Sequence, residues 1–315
     1  MTPARMPRLI SIGETMALVT PATTMPLAAA VDFHLDAGGA ESNVAAHAAQ
    51  LGVPSAWVSA LGDDALGQRI RSTLERRGVD VRWVAIDPDA PTGVYFKDPG
   101  HGVLYYRRGS AASKMSPAGI ADIRLEDADV VYISGITPAL SASCRALTDS
   151  VFERAAAAGT TLSFDINHRP ALWKNGDAGT TLLEFARRAD IVFVGLDEAA
   201  ALWECVTPDD VHALLPEPGH LIVKDGDVGA TEFRRTGGNS IFVPAIPTRV
   251  VEAVGAGDAF AAGYLAAALE GLPPAERLQA GHERARQVLT STSDFIVEPP
   301  APIAEPSEPV SEPTP

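Results

Sequence analysis

The chain has 315 residues and a formal net charge of −15, with 25 basic side chains against 40 acidic ones. So acidic a surface would repel nucleic acid and anionic membranes, and neither is expected as the main partner. Hydrophobic residues make up 46% of the chain, which is ordinary for a globular protein, and the length allows one large domain or two smaller ones.

Signals for export and for disulfide formation are sparse. The two cysteines, Cys144 and Cys205, each fall within a predicted helix and lack metal-ligand spacing, as expected of reduced thiols in a cytosolic protein. Residues 1–10 carry arginines but no apolar signal-peptide core, and no apolar stretch is long enough to cross a bilayer. These patterns predict a cytoplasmic protein.

Short apolar runs alternate with helical patterns along most of the chain. Such alternation predicts a parallel sheet covered by helices on both faces, with ligands gathering beyond the carboxyl ends of the strands. The polar or glycine-rich segments that follow the strands are therefore expected on one rim. The predicted strands are 9–13, 56–61, 129–134, 161–165, 190–194 and 220–224, the predicted helices include 44–51 and 65–77, and the rim segments are 134–135, 165–169, 195–198 and 224–229.

A predicted hairpin interrupts this alternation. Its strands, 93–97 and 103–107, are joined by a turn rich in proline and glycine. We interpret residues 92–110, together with about 14–36, as a small sheet that covers the site as a lid. Tyr95, Tyr105 and Arg107 share one parity and can face the same way, although packing of the lid aromatics among themselves explains that parity equally well.

The stretch most indicative of chemistry is 251–265. Gly255, Ala256 and Gly257 predict a tight turn that opens a helix, whose free N–H groups and dipole favour a phosphate or an oxyanion. Asp258, in the first helical turn, could accept a proton from a hydroxyl group. An acidic residue there can also simply stabilise the helix. A dinucleotide fingerprint fits poorly because Phe260 occupies its third small position, and the absence of a Gly-Lys pair excludes a P-loop.

A second glycine-rich stretch is Gly38-Gly39-Ala40-Glu41-Ser42-Asn43, which precedes the predicted helix 44–51. The glycine pair would let a ligand approach the backbone, and Asn43 offers both a donor and an acceptor. A turn with a capping residue explains the same pattern. Residues 297–315 are largely Pro, Glu, Ser and Ala, which predicts a disordered tail after a domain covering 1–296.

From about residue 9 to 294 the chain resembles the ribokinase-like (PfkB) carbohydrate kinases, and most of all their 2-keto-3-deoxygluconate kinases. The resemblance implies an α/β fold, a three-layer α/β/α domain with a mostly parallel central sheet and a small β-sheet lid. It rests on the two glycine-rich stretches and on Tyr105-Tyr106-Arg107-Arg108-Gly109-Ser110, Ser134-Gly135-Ile136-Thr137-Pro138-Ala139-Leu140 and Asp165-Ile166-Asn167-His168-Arg169.

The resemblance also implies an activity, the ATP-dependent phosphorylation of 2-keto-3-deoxy-D-gluconate at its sixth-carbon hydroxyl. Asp258 would be the catalytic base, kept ionised by the helix N-terminus, and Gly255, Ala256 and Gly257 would form the anion hole. Mg²⁺ would bridge the phosphates of ATP, and Glu198 would organise it through water.

The substrate and nucleotide contacts are carried over from the same resemblance. Arg107 and Arg169 suit the carboxylate of a sugar acid, since a guanidinium binds a carboxylate through paired hydrogen bonds. His282 is implied near the adenine, although a surface position on a helix explains it as well. The substrate residues are Gly39, Asn43, Tyr95, Tyr105, Arg107 and Arg169, and the cofactor residues are Asn167, Lys224, Gly226, Gly229 and His282.

Two positions depart from the family pattern. Gly195 replaces the usual Asn of an Asn-x-x-Glu motif, and Glu252 replaces an Asp linked to a monovalent-cation (K⁺) site. The alternatives are another kinase of the family, such as a fructokinase, ribokinase or 5-keto-2-deoxygluconate kinase, and a noncatalytic sugar-acid binding protein. A dinucleotide oxidoreductase ranks last. In the family that the chain resembles, the lid often pairs between subunits, and an exposed sheet edge favours such pairing, so a homodimer or a higher homo-oligomer is expected.

Overall fold

The computed structural model describes residues 6–173, 176–236, 238–251 and 253–290. Glu252 and the predicted tail, 297–315, lie outside the described residues. The strands form two sheets. In chain order they are β1 (Leu9–Ile12), β2 (Met16–Pro21), β3 (Phe33–Gly38), β4 (Ser55–Gly62), β5 (Val84–Asp87), β6 (Val94–Asp98), β7 (Gly102–Tyr106), β8 (Val130–Ser134), β9 (Thr161–Asp165), β10 (Ile191–Gly195), β11 (His220–Asp225), β12 (Gly229–Arg234) and β13 (Ile241–Pro244).

The larger sheet has the strand order β13-β12-β11-β10-β9-β8-β1-β4-β5. Neighbours from β11 to β5 in this order are parallel, and β12 and β13 add antiparallel strands at one edge. The predicted mostly parallel sheet is therefore confirmed. Because all these parallel strands end on the same rim, the segments that follow them come together in space.

Helices cover both faces of this sheet. Successive residues of a strand point to opposite faces, so Leu9 and Tyr132 face one helical layer while Ile10 and Val131 face the other. This confirms the three-layer arrangement. The helices are α1 (Ala40–Gln50), α2 (Ala65–Arg76), α3 (Thr137–Leu140), α4 (Ala142–Ala158), α5 (Ala178–Arg188), α6 (Leu196–Trp203), α7 (Pro208–Leu214), α8 (Ala256–Leu269) and α9 (Pro274–Leu289). No helix in the described part of the chain combines the length and apolarity needed to cross a membrane.

Two local expectations were wrong. The helix predicted over 44–51 begins at Ala40, because the extended backbone of Gly39 already acts as its N-cap and accepts a hydrogen bond from Asn43 N. Asn43 therefore lies in the first turn of a helix rather than in a loop. Cys144 lies in α4, but Cys205 follows α6, which ends where Glu204 turns into a left-handed conformation with φ of 60°.

The smaller sheet has the order β3-β2-β6-β7 and stands beside the rim of the larger one. Its hairpin, β6 and β7, has the predicted strands and turn, and Tyr95 pairs with Tyr105 across it. The pairing of β2 with β6 is parallel, so the sheet is mixed. Since β1 leads directly into β2, the small sheet is joined to the centre of the large one by the three residues 13–15.

Candidate active site

The rim is held together by a buried carboxylate. Glu41 lies in the first turn of α1, and its Oε1 accepts hydrogen bonds from Ser134 N at 3.1 Å, Ser134 Oγ at 2.7 Å and Thr137 Oγ1 at 2.9 Å. Glycine is needed at position 13, because a Cβ there would lie 2.1 Å from the carboxyl carbon of Glu41. These contacts fix α1 against the end of β8 and so position Asn43 at the rim.

The first turn of α8 has the backbone of an anion site. Gly255 is its N-cap, with φ of 83°, a value that glycine adopts without strain. The N–H of Ala256 lies 3.4 Å from Ala253 O, whereas within the described ranges the N–H groups of Gly257 and Asp258 have no acceptor. Unpaired amides at a helix N-terminus favour a phosphate or a developing negative charge.

Asp258 is buried, with 8% of its surface exposed. Its Oδ2 accepts a hydrogen bond from Asn43 Nδ2 at 2.8 Å, and its Oδ1 lies 3.5 Å from Asn167 Nδ2. The Oδ1 atoms of both asparagines are buried without a hydrogen-bond partner. Each asparagine therefore holds the carboxylate with one atom and keeps an acceptor for a ligand hydroxyl with the other.

The electrostatics of Asp258 differ from the expectation. Burial raises the pKa of its carboxyl group to about 7, and the nearby charge of Asp165 acts in the same direction. The hydrogen bond from Asn43 and the charges of Arg169 and Lys224 lower the pKa, but they do not compensate. The helix N-terminus thus does not keep this carboxylate ionised well below neutral pH. A group with a pKa near 7 can instead exchange a proton at physiological pH.

Lys224, at the end of β11, brings a cation to the same place. Its Nζ donates to Asp165 Oδ2 at 3.1 Å, and it lies 3.6 Å from the point where a Cβ on Gly257 would be. Burial lowers the pKa of this lysine, but the charges of Asp165, Glu198 and Asp258 raise it by more than burial lowers it, so its pKa lies above the ordinary value. The side chain is therefore a permanent positive charge beside the α8 amides.

Asn167 has a backbone conformation that is uncommon for its residue type. Its φ is 40°, in the left-handed region, and its N–H donates to Asp165 Oδ1. This turn directs Asn167 toward Asp258, although the sequence assigned it to the nucleotide. Arg169 follows in an exposed position, where its Nη1 donates to His168 O and its charge lowers the pKa of Asp258.

Glu198 accepts hydrogen bonds from two backbone N–H groups at the rim, one in the loop after β9 and one at the end of β10. Its Oε1 accepts from His168 N at 2.7 Å, and its Oε2 accepts from Gly195 N at 2.8 Å. Burial raises the pKa of this carboxyl group, and the charge of Lys224 opposes the rise. Across the described ranges there is no group of three or more His, Cys, Asp or Glu side chains that could hold a metal ion. A magnesium ion would fit here only with nucleotide phosphates and water as its main ligands.

The small sheet contributes three of the predicted residues. Tyr95 is buried and Tyr105 is 45% exposed, and their rings stack with centroids 5.8 Å apart. The guanidinium of Arg107 lies over the Tyr105 ring at 4.8 Å. Arg107 is not free, however, because its Nη2 forms an ion pair with Glu14 Oε2 at 3.0 Å. Within this sheet the Tyr95 hydroxyl lies against Gly38 of β3, where a Cβ would be 2.0 Å from it, so that position requires glycine.

The remaining predicted residues lie on the turn between β11 and β12 and on α9. Gly226 has φ of 48° and Gly229 of 155° in the turn between β11 and β12, and a Cβ on Gly229 would lie 2.4 Å from Val243 O. His282 on α9 is buried, its Nε2 lies 3.1 Å from Val243 O, and its ring packs edge-on against Phe260. Burial lowers its pKa, so the imidazole is neutral and suits a nucleobase better than a phosphate.

Sequence reasoning missed three residues of this cluster. Asp165 was noted only as part of a rim segment, yet it contacts both Lys224 and Asn167. Glu14 follows the end of β1, and the rule that ligands gather at strand ends could have identified it. Tyr132 lies inside β8, and its buried hydroxyl has no hydrogen-bond partner. Burial raises the pKa of that hydroxyl, and the carboxylates of Asp165, Asp258 and Glu41 raise it further. A residue within a strand gives no sequence signal of this kind.

Proteins with sequences similar to this chain are carbohydrate kinases. Residues 6–299 match the pfkB family carbohydrate kinase. A 2-dehydro-3-deoxygalactonokinase from Haloferax volcanii is 33% identical over 305 residues, which cover 93% of this chain and 94% of the relative. A 2-dehydro-3-deoxygluconokinase from Bacillus subtilis is 35% identical over 286 residues, covering 87% and 86%.

Among solved structures, a PfkB protein from Polaromonas sp. JS666 superposes with a TM-score of 0.83 at 33% identity, covering 89% of this chain and 95% of that one. The ribokinase-like fold expected from the sequence is therefore confirmed, and so is the expectation of a kinase. With its fold, its glycine-rich α8 turn and the match over nearly the whole length, the chain belongs to the pfkB family of carbohydrate kinases.

Proposed function

We propose that this kinase transfers the terminal phosphoryl group of ATP to the sixth-carbon hydroxyl of 2-keto-3-deoxy-D-gluconate, giving 2-keto-3-deoxy-6-phosphogluconate and ADP. One observation carries the proposal: Asp258, two unpaired amides of α8 and the Lys224 side chain lie close together at one rim of the sheet. The names of the relatives, which are kinases of 2-dehydro-3-deoxy sugar acids, support the substrate class.

In this proposal Asp258 accepts the proton of the sugar hydroxyl as its oxygen attacks phosphorus. The carboxylate can do so because its pKa of about 7 leaves a substantial ionised fraction at neutral pH. The unpaired amides of Gly257 and Asp258, with the charge of Lys224, balance the charge on the group in transfer. Asn43 and Asn167 hold the carboxylate and offer their free oxygens to sugar hydroxyls.

ATP would supply the phosphoryl group, and the residues beyond Lys224 suit a nucleotide. Gly226 is exposed in the turn between β11 and β12, and neutral His282 contacts the backbone of Val243 on β13. Exposed apolar side chains on β13, on the β11–β12 turn and on the segment before α8 could flank a base. They are Val228, Phe242, Val250, Val251 and Val254. Mg²⁺ would be held mainly by the phosphates, with Glu198 contributing through water.

For the sugar acid, Arg169 is the better placed of the two predicted arginines. It is exposed, and the described part of the chain places no carboxylate within ion-pair distance of it, whereas Arg107 is already paired with Glu14. A sugar-acid carboxylate would therefore bind Arg169 by its charge and reach Arg107 through a directed hydrogen bond. Because Arg107 is neutralised, a neutral-sugar kinase such as a fructokinase is the second candidate.

The test is a coupled assay of ADP release over a panel of 2-keto-3-deoxygluconate, its galactonate epimer, fructose and ribose. We expect turnover with the two acids. Arg169→Ala should raise KM for the acids about tenfold to a hundredfold, because a charge-assisted hydrogen bond is lost, and should leave neutral sugars unaffected.

Arg108→Ala is the matched control, since Arg108 is exposed one residue beyond Arg107 and is assigned no role. It should leave KM unchanged. Preference of the wild-type protein for a neutral sugar, or an equal effect of Arg169→Ala on acids and neutral sugars, would overturn the assignment of the substrate.

A further inference from the structure

A buried carboxylate connects the two sheets beside the site. Glu14 follows Gly13 at the end of β1 and is 2% exposed. It contacts the segment that leaves the small sheet, where Arg107 lies 3.0 Å away and Ser110 Oγ donates at 3.3 Å. Glu14 therefore joins the rim of the large sheet to the segment that follows β7 of the small sheet. No part of the reaction described above uses it.

The contacts of Arg107 determine how its side chain can act. Nη2 is paired with Glu14, Nε donates to Met16 Sδ at 3.2 Å, and the guanidinium lies over the Tyr105 ring. In the described structure Nη1 has no hydrogen-bond partner. A long, flexible side chain is thereby restricted to one orientation with one donor edge unused, and such restriction lowers the entropic cost of binding a ligand.

The charges of Glu14 and Arg107 also indicate that Arg107 acts through its fixed orientation. Glu14 and Arg107 are both largely buried, and burial raises the pKa of Glu14 while the charge of Arg107 lowers it. A buried pair of this kind is neutral overall and is costly to break from either side. Arg107 thus provides a ligand with one oriented hydrogen-bond donor rather than with a net positive charge. Anions in general would be attracted to the exposed Arg169, whereas only a ligand of the right shape would gain the Nη1 hydrogen bond.

We propose that Glu14 is a positioning residue for substrate recognition, which holds Arg107 with its Nη1 edge available to an acidic sugar. This rests on the proposed function, because it takes a sugar acid as the ligand of Arg107. Glu14 itself does not touch the substrate. Removing its charge leaves Arg107 partly buried and free to reorient, which weakens binding of the sugar acid without changing the groups around Asp258.

A double-mutant cycle tests this inference. Glu14→Gln keeps the size of the side chain and removes its charge. We expect it to raise KM for 2-keto-3-deoxygluconate about tenfold and to change kcat less than threefold, as for the loss of one oriented hydrogen bond to a charged group. In an Arg107→Ala background the same substitution should have no further effect on KM, because the residue acts through Arg107.

The matched control is Glu232→Gln on β12. Glu232 is also a buried carboxylate paired with a basic side chain, that of His220, which begins β11 at the end away from Lys224. This substitution should leave KM unchanged even if it lowers thermal stability. A Glu14→Gln variant with wild-type KM, or effects of Glu14→Gln and Arg107→Ala that add, would overturn the inference.

If Glu14→Gln does not fold, Glu14→Asp provides the same comparison. It keeps the charge but shortens the reach by one methylene, so KM should rise in the wild-type background and not in the Arg107→Ala background. Failure of the proposed function would appear differently, as an absence of activity of the wild-type protein on sugar acids.

Discussion

Replacing Asp258 with Asn should separate activity from stability. The substitution keeps the shape of the side chain but removes the proton acceptor, so kcat should fall by about 10²- to 10⁴-fold. It also removes a carboxylate that is buried at a cost, because its pKa in the fold is about 7, against an ordinary value near 3.9. The stability of the inactive variant relative to the wild type should therefore increase as the pH rises.

The sign and size of the effect follow from that shift in pKa. Below about pH 3 the carboxyl group is protonated in both the folded and the unfolded chain, and it adds no penalty. As the pH rises toward 7, the unfolded chain ionises first, so the free energy of unfolding of the wild type falls relative to that of the variant. Between pH 5 and pH 8 the difference should grow by about 2–3 kcal/mol, at about 1.4 kcal/mol per pKa unit, and above pH 8 it should stay constant.

Urea denaturation of the ligand-free proteins at pH 5, 6, 7 and 8 measures this difference. The hydrogen bonds lost or gained by the amide give a constant offset, which cancels in the comparison between pH values. Asp149→Asn is the control, because Asp149 forms an exposed ion pair with Arg188, and its curve should run parallel to that of the wild type. Parallel curves for Asp258→Asn would refute the inference that Asp258 is a buried carboxylate with a raised pKa.

Two further outcomes are expected. Lys224→Met removes the cation beside the α8 amides, so it should lower kcat about a hundredfold and change KM for the sugar little. A variant with wild-type kcat would show that the lysine does not act on the phosphoryl group in transfer. Asn43→Ala removes a hydrogen bond that lowers the pKa of Asp258. The acid limb of the wild-type kcat/KM profile should have its midpoint near pH 7, and in the variant this midpoint should move up by about one pH unit. An unshifted limb would contradict the contact.

Much of the fold could be predicted because its signals are local. Strands such as Val130–Ser134 are apolar throughout and end at glycine or polar residues, and the turn between β6 and β7 carries its own proline and glycines. The start of α1 was misplaced because Gly38 and Gly39 predict a turn, whereas Gly39 in fact caps a helix whose first turn is buried against Ser134. Only tertiary packing distinguishes these two outcomes.

The site was predictable in its backbone more than in its charges. The glycines before Asp258 predict a tight turn that opens a helix, and the structure has this turn, with Gly255 in the left-handed conformation. The pKa of Asp258 depends on burial and on Asp165, which is 93 residues away in sequence, so no local pattern reports it. The pairing of Arg107 with Glu14 is equally non-local and changes which arginine is available to a substrate.

The position of β1 has a consequence for synthesis of the protein. This first strand is an inner strand, held between β4 and β8, and Asp258 arrives on a helix near the end of the chain. While the chain is being made, β1 keeps one strand edge open until β8, more than 100 residues later, has been synthesised. The sheet face that α8 covers stays bare until the last quarter of the chain has left the ribosome. The site therefore receives Asp258 only late in synthesis, and chains released before α8 is made would expose apolar surface prone to aggregation.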